Sequence, residues 1–198
     1  MDKENRLLKL REIALQCANC ELFRTRDNLV FGEGPADSFI MFIGEGPGRE
    51  EDKTGKPFVG RSGKLLRKMI KAIELEEKYY YITNIVKCRP PNNRVPEIEE
   101  IKPCIKFLKK QIEIIRPALI VLLGKTAVKG LCPEFSTYSI EKLRSMTKNL
   151  GMITYENIPV MVTYHPSALL RTAWRKVGAK EDFIFLKNIF NDLFINET

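Results

Sequence analysis

Residues 38–48 read SFIMFIGEGPG, a short apolar run that stops abruptly in a turn of three glycines, a proline and one glutamate. A run of this length bounded by glycine fits a strand buried on both faces. Three further runs repeat the pattern. Residues 79–86 (YYYITNIV) are β-branched and aromatic; 118–123 (ALIVLL) end at Gly124; 160–164 (VMVTY) end at His165-Pro166. Helical spacing fills the gaps. Residues 7–16 read as a short helix, and 60–73 place Leu, Met and Ile at helical intervals with lysines between them. Residues 96–116 are amphipathic with a proline near the start, 124–131 suit a short helix, and 183–194 form a last amphipathic one. Pro103 is expected to break or kink the long helix. Strands alternating with helices predict an α/β fold with a parallel sheet covered on both faces. Ligands of such sheets bind beyond the carboxyl ends of the strands. At that edge the sequence places GEGPG after the first strand, Thr83-Asn84 inside the end of the second, and HPS after the fourth.

The chain has 198 residues, 44% of them hydrophobic, which suits one domain over residues 1–198. No segment reaches the length of apolar residues that a membrane span needs, and the charged N-terminus has no apolar signal core. A cytoplasmic monomer with no membrane association is expected. The net charge of +8 favours an anionic partner, nucleic acid being the commonest large one, although a lysine-rich surface also serves solubility.

Cys17 and Cys20 form a C-x2-C pair, and Cys88 and Cys104 a distant C-x15-C pair. Four thiolates from separate segments suit zinc or an iron–sulfur cluster, and spacing does not choose between them. Cys132 stands alone and reads as core or loop. The segment 43–66 (IGEGPGREEDKTGKPFVGRSGKLL) is not a nucleotide-triphosphate loop: Phe58 stands where the first glycine of that motif belongs, and Leu65 replaces Ser/Thr. Nor is it a dinucleotide fingerprint, because Arg49 occupies the third glycine position. What remains is a glycine turn that admits a ligand close to the backbone, then Glu50, Glu51 and Asp52, which composition reads as a solvated turn. Phe58 is either a loop anchor or a stacking platform for a flat ring. Asn84 interrupts a strand, where Asn is disfavoured. It either bonds a neighbouring loop or reads a base edge. Its amide matches N3–H and O4 of uracil, whereas cytosine presents the reverse pattern.

Taken in order, C-x2-C, GEGPG with EED, KPFVGRSGKLL, TNIVKCRPPNNR, C-x15-C and HPSALLR resemble the family 4 uracil-DNA glycosylases, the iron–sulfur branch of bacteria and archaea. The resemblance runs nearly the whole length. It implies a three-layer α/β/α sandwich around a four-stranded parallel sheet. It also implies a [4Fe–4S] cluster on Cys17, Cys20, Cys88 and Cys104. A related branch that traps uracil-DNA covalently carries GEQPG and a His-containing loop; GEGPG and the His-free CRPPNNRVPEIEE argue against it.

The resemblance implies roles for the remaining residues. His165, the only histidine, would donate to uracil O2 as the base leaves as an anion, and a neutral imidazole suffices for that. Gly44 and Gly46 would line the base, Phe58 would stack on it, Asn84 would read its edge, and Glu51 would crowd C5 against thymine. Gly46 stands where better-known uracil glycosylases place a water-orienting Asp, so Glu45 and Asn93 are the candidates for that task. In the loop after His165, Ser167 and Arg171 would touch DNA and Leu169 would wedge into the duplex, with core packing of the leucines as the competing reading. The expected partner is uracil-containing DNA, single- or double-stranded. A sliding clamp is a candidate partner, although neither terminus carries a clear clamp motif. Monofunctional hydrolysis is expected; a non-catalytic nucleic-acid binding module is the second reading, and His165 with Asn84 at strand ends discriminates against it.

Overall fold

The computed structural model describes residues 2–195. Its centre is a five-stranded sheet ordered β2-β1-β3-β5-β4, with β1 (Ile40–Gly44), β2 (Tyr80–Asn84), β3 (Leu119–Leu123) and β5 (Ile158–Thr163) all parallel. The four apolar runs of the sequence are these strands. The fifth, β4 (Thr154–Tyr155), is a two-residue antiparallel edge strand paired to the start of β5. It was not expected, because two residues carry no periodicity.

Alternation within the strands separates two cores. Met41, Ile43, Ile120, Leu122, Val160 and Val162 point to one face, where they meet Leu108 and Ile112 of α4 (Ile98–Ile115), Ala127 of α5 (Lys125–Leu131) and Leu143 of α6 (Ile140–Thr147). Helix α1 (Lys3–Leu15) lies against α4 on this side. Ile40, Phe42, Ile82, Leu119 and Val121 point to the other face. There they meet Leu66 and Ile70 of α3 (Arg61–Ala72) and Phe183, Leu186 and Ile189 of α8 (Arg175–Ile195). The result is a mostly parallel sheet between two helical layers, as the period-2 pattern dictates. Among the described residues, no helix is long and apolar enough to cross a membrane.

Several boundaries differ from expectation for identifiable reasons. Helix α1 begins earlier, because the Asp2 side chain caps it by accepting from Asn5 N–H at 2.8 Å. Helix α4 runs unbroken through Pro103. The proline falls early in the helix, and the start is fixed by Glu100, which accepts from Glu97 N–H at 2.8 Å and from both Arg94 guanidinium nitrogens at 2.8 and 2.6 Å. Helix α8 starts eight residues before the expected apolar stretch, since the polar run from Arg175 extends it. Helix α2 (Arg49–Thr54) and helix α7 (Pro166–Arg171) fill segments expected to be turn and loop.

The chain passes from β1 to β2 on one side and then to β3 on the other. The strand order therefore reverses at β1, which is where such sheets open a crevice at their carboxyl ends.

Candidate active site

A cleft of about 230 Å³ opens at that edge, lined by Glu45, Gly46, Pro47, Gly48, Glu51, Phe58, Ser62, Asn84, Pro90, Asn93, Arg94, His165 and Ser167. This is below the range of about 300–1,000 Å³ typical for drug-sized ligands and suits a single small ring. Of the residues expected around a base, Glu45, Gly46, Glu51, Phe58, Asn84, Asn93 and His165 all border it.

Glycines set its floor. A Cβ on Gly44 would come within 2.5 Å of both Asn84 Oδ1 and Phe58 Cζ, so only glycine lets ring and amide meet at the end of β1. Phe58 is buried and has φ +54, a left-handed conformation that is costly for a bulky residue. Two features hold it there. Gly63 leaves space under its backbone, where a Cβ would sit 2.1 Å from the Phe58 carbonyl carbon. The carboxylate of Glu51 clamps the residues that follow, Oε1 accepting from Val59 N–H at 2.9 Å and Gly60 N–H at 2.8 Å, Oε2 from Gly48 N–H at 3.1 Å. Glu51 and Asp52 are thus buried, not the solvated turn that composition suggested. Asp52 accepts from Asp27 N–H at 3.0 Å and Asn28 N–H at 3.3 Å and fastens the incoming chain.

Asn84 ends β2 opposite Gly44. It is 2% exposed, and its Oδ1 has no hydrogen-bond partner among the described residues. A buried amide oxygen without a donor is costly, and native proteins keep few of them.

His165 caps α7. Ser167 N–H donates to its Nδ1 at 3.2 Å, and the Ser167 hydroxyl lies 2.8 Å from the same atom. Nδ1 is therefore the bare nitrogen and Nε2 carries the hydrogen. Burial, with Arg171 adding to it, pulls the imidazole pKa down to about 4, so the ring is neutral at physiological pH. The ring stands 6.3 Å from that of Phe58, centroid to centroid, tilted by 40°. Its approach depends on Gly124, at φ +87, where a Cβ would lie 2.9 Å from that of His165.

Glu45 Oε2 accepts from the Thr126 hydroxyl at 2.5 Å, across from β1 to α5. Asn93 Oδ1 accepts from Arg89 Nε at 2.8 Å. Thr126 and Gly124 were not singled out in the sequence. A glycine ending β3 was a legible signal for the second; a lone Thr gave none for the first. On α7, Leu169 is buried at 2% exposure against Tyr164 and Ala179, while Leu170 is 45% exposed and Arg171 is exposed. The competing reading, core packing, therefore describes Leu169, and Leu170 is the leucine that faces outward.

The [4Fe–4S] expectation is overturned. Among the described residues, no group of three or more His, Cys, Asp or Glu stands where it could hold a metal ion. Cys17, Cys20, Cys88 and Cys104 do border one small cavity beside Phe23, Leu29 and Phe107, and none of them is in a disulfide. Burial raises the pKa of Cys20 and Cys88 and pushes that of Cys104 up to about 12. The Cys88 and Cys104 sulfurs accept from Arg26 Nη1 and Lys87 N–H, each at 3.2 Å. Cys132 is buried core at the end of α5.

The family model of the uracil DNA glycosylase superfamily matches residues 31–193. A type-4 uracil-DNA glycosylase of Sulfurisphaera tokodaii is 44% identical over 183 residues, covering 89% of this chain and 81% of the relative. One of Thermotoga maritima is 48% identical over 157 residues, 79% of each chain. A type-5 uracil-DNA glycosylase of Pyrobaculum aerophilum is more distant, at 28% over 151 residues, 69% of this chain and 64% of that one.

Proposed function

Because the chain belongs to the type-4 uracil-DNA glycosylases, within the uracil DNA glycosylase superfamily, we propose a division of labour among the residues of its cleft. The activity is hydrolysis of the N-glycosidic bond of uracil in DNA, which leaves an abasic site and starts base excision repair with no lyase step. One observation carries the assignment of the cleft: the buried Oδ1 of Asn84, which has no hydrogen-bond partner among the described residues. It accepts N3–H of a flipped uracil, while its NH2 donates to O4. Cytosine has no N3–H to give, and leaves that oxygen unsatisfied.

Phe58, held rigid by Gly44, Gly63 and Glu51, stacks on the ring. Glu51 keeps the wall closed around C5 and so excludes the thymine methyl. As the glycosidic bond breaks, its electron pair goes to the base and negative charge grows on O2. Nε2–H of His165 donates to that oxygen as a neutral, preorganised group, whose help is realised mainly in the transition state. Water adds to C1′. Glu45 orients it and takes its proton, with Thr126 fixing the carboxylate. Asn93 is the weaker candidate, because an amide cannot take the proton and its oxygen already accepts from Arg89. Extruding the nucleotide costs a few kcal/mol. Leu170 fills the gap, Leu169 anchors α7, and Ser167 and Arg171 bind the backbone.

One domain acting as a monomer is part of this proposal. A cytoplasmic place and a sliding-clamp partner belong to the same proposal and rest on the sequence alone. The test is a labelled oligonucleotide with one uracil, followed by alkali, with cytosine and thymine controls. Cleavage at uracil only, reduced about 10²–10³-fold in His165→Ala, is expected. Equal activity of the variant would remove His165 from the mechanism.

A further inference from the structure

The chain's only tryptophan is spent on the surface. Trp174 sits in the link between α7 and α8 with 60% of its surface exposed. It is held firmly at one side. Its ring meets Tyr164 edge-on, 6.3 Å between centroids at 86°. The Arg175 guanidinium lies 5.3 Å from the indole centroid and 5.5 Å from that of Tyr164, so it bridges the two rings. Tyr164 is itself fixed by Arg144, which donates to its hydroxyl at 3.1 Å. The link is tied by Arg175 N–H to Thr172 O at 3.3 Å and Val177 N–H to Trp174 O at 3.3 Å.

Three features give this platform a ligand class. Tyr164 directly precedes His165, so the indole is coupled to the rim of the uracil cleft. From residue 158 to residue 180 the chain has no acidic side chain and carries Arg171, Arg175, Lys176 and Lys180. Arg175 Nε, finally, is buried without a hydrogen-bond partner among the described residues, and the guanidinium lies against the two rings. A rigid aromatic beside cations is the arrangement that stacks on bases of a single strand. A base in a duplex has both faces covered by its neighbours, and where the nucleotide has left the stack Leu170 takes the gap; an indole outside the uracil cleft then finds a free face on an unpaired base.

We propose that Trp174 stacks on an unpaired base next to the flipped uracil, and that the protein therefore grips single-stranded uracil DNA more firmly than paired duplex. This rests on the cleft being the uracil site. Being unique, the indole reports on itself. The probes are one oligonucleotide carrying a tetrahydrofuran abasic site, single-stranded and as a duplex, with binding followed independently by anisotropy of a label on the DNA. Saturable quenching of tryptophan emission by the single strand is expected. Trp174→Ala should weaken single-strand binding about tenfold, duplex binding by less, and Trp174→Phe should restore part of the loss. The loss in turnover should fall on KM more than on kcat. Binding without any change in emission, an alanine variant with parental affinity, or equal losses on both DNA forms would each overturn the inference. A parent that quenches as expected but excises no uracil would overturn the catalytic assignment and sustain this one.

Discussion

Asn84 ends β2 and Lys87 follows three residues later; both are buried and both are polar, and their hydrogen bonding is opposite. Lys87 is 0% exposed, and its Nζ donates to Thr83 Oγ1 at 2.6 Å, Gln111 Oε1 at 2.6 Å and Asn84 O at 2.9 Å. Thr83 passes its own hydrogen to Phe31 O at 2.8 Å. Three acceptors need three N–H hydrogens, so this geometry is that of a charged ammonium, although burial lowers its pKa to about 7. Every group in that network is matched within the fold. Asn84 Oδ1 is matched by nothing among the described residues. A satisfied buried polar group joins segments, here β2, α4 and the loop carrying Phe31; an unsatisfied one facing a cleft is completed by a ligand.

The contrast breaks most sharply at Asn84. Asn84→Ala should lower kcat/KM on uracil-DNA about 10³-fold, near 4 kcal/mol, since a donor–acceptor pair in a closed site is lost. Its denaturant midpoint should shift by less than the equivalent of about 1 kcal/mol, because no internal hydrogen bond through Oδ1 disappears. A large loss of stability would place Asn84 with Lys87 as structural. Lys87→Met should reverse the pattern. Buried acceptors on Gln111 and Asn84 lose their donor, and unfolding free energy should drop by about 3 kcal/mol. Urea titration reads this directly. A Lys87→Met protein as stable as the parent would mean that these acceptors find other donors, and that the network holds nothing together.

What the sequence made legible follows the same division. Short apolar runs halted by Gly44, Gly124 or His165-Pro166 have few meanings in an alternating chain, so the four parallel strands and the edge carrying the chemistry were readable. Asn84 was readable because Asn is out of place in a strand. Lys87 was not: beside Cys88 and Arg89 it reads as one more surface lysine among 33 Lys and Arg. Glu51 and Asp52 were misread for a related reason. Composition assigns carboxylates to solvent, and only folding brings the N–H groups of Val59, Gly60 and Asp27 to them. The cysteines erred in the other direction. Spacing along the chain says that four thiols occur in pairs, not that they stand at ligand distance in space. Leu169 and Leu170 are neighbours in sequence on opposite sides of α7, and a one-residue difference in facing is beyond any motif.

The pH profile of activity at His165 carries the smallest expected change and is a sharp test of how the cleft differs from the satisfied core. The imidazole has a folded pKa near 4, below the ordinary 6.5, through burial first and Arg171 second. Between those values the unfolded chain binds a proton that the folded chain does not. Stability therefore rises with pH across that window, is fully present above about 6.5, and is lost as pH falls toward 4. The slope should be shallower in His165→Ala. For catalysis the same depression means that Nδ1 stays free to accept from Ser167 N–H and Nε2 keeps its hydrogen throughout the neutral range. The pH profile of kcat/KM, which reports the free enzyme, should accordingly show no inflection from histidine between pH 5.5 and 8. An inflection near pH 6–7 whose position follows His165 by NMR titration would mean that the imidazolium is the working donor. The Ser167 N–H to Nδ1 contact would then have to open before uracil is cut, and the cleft would not be preorganised in the state described here.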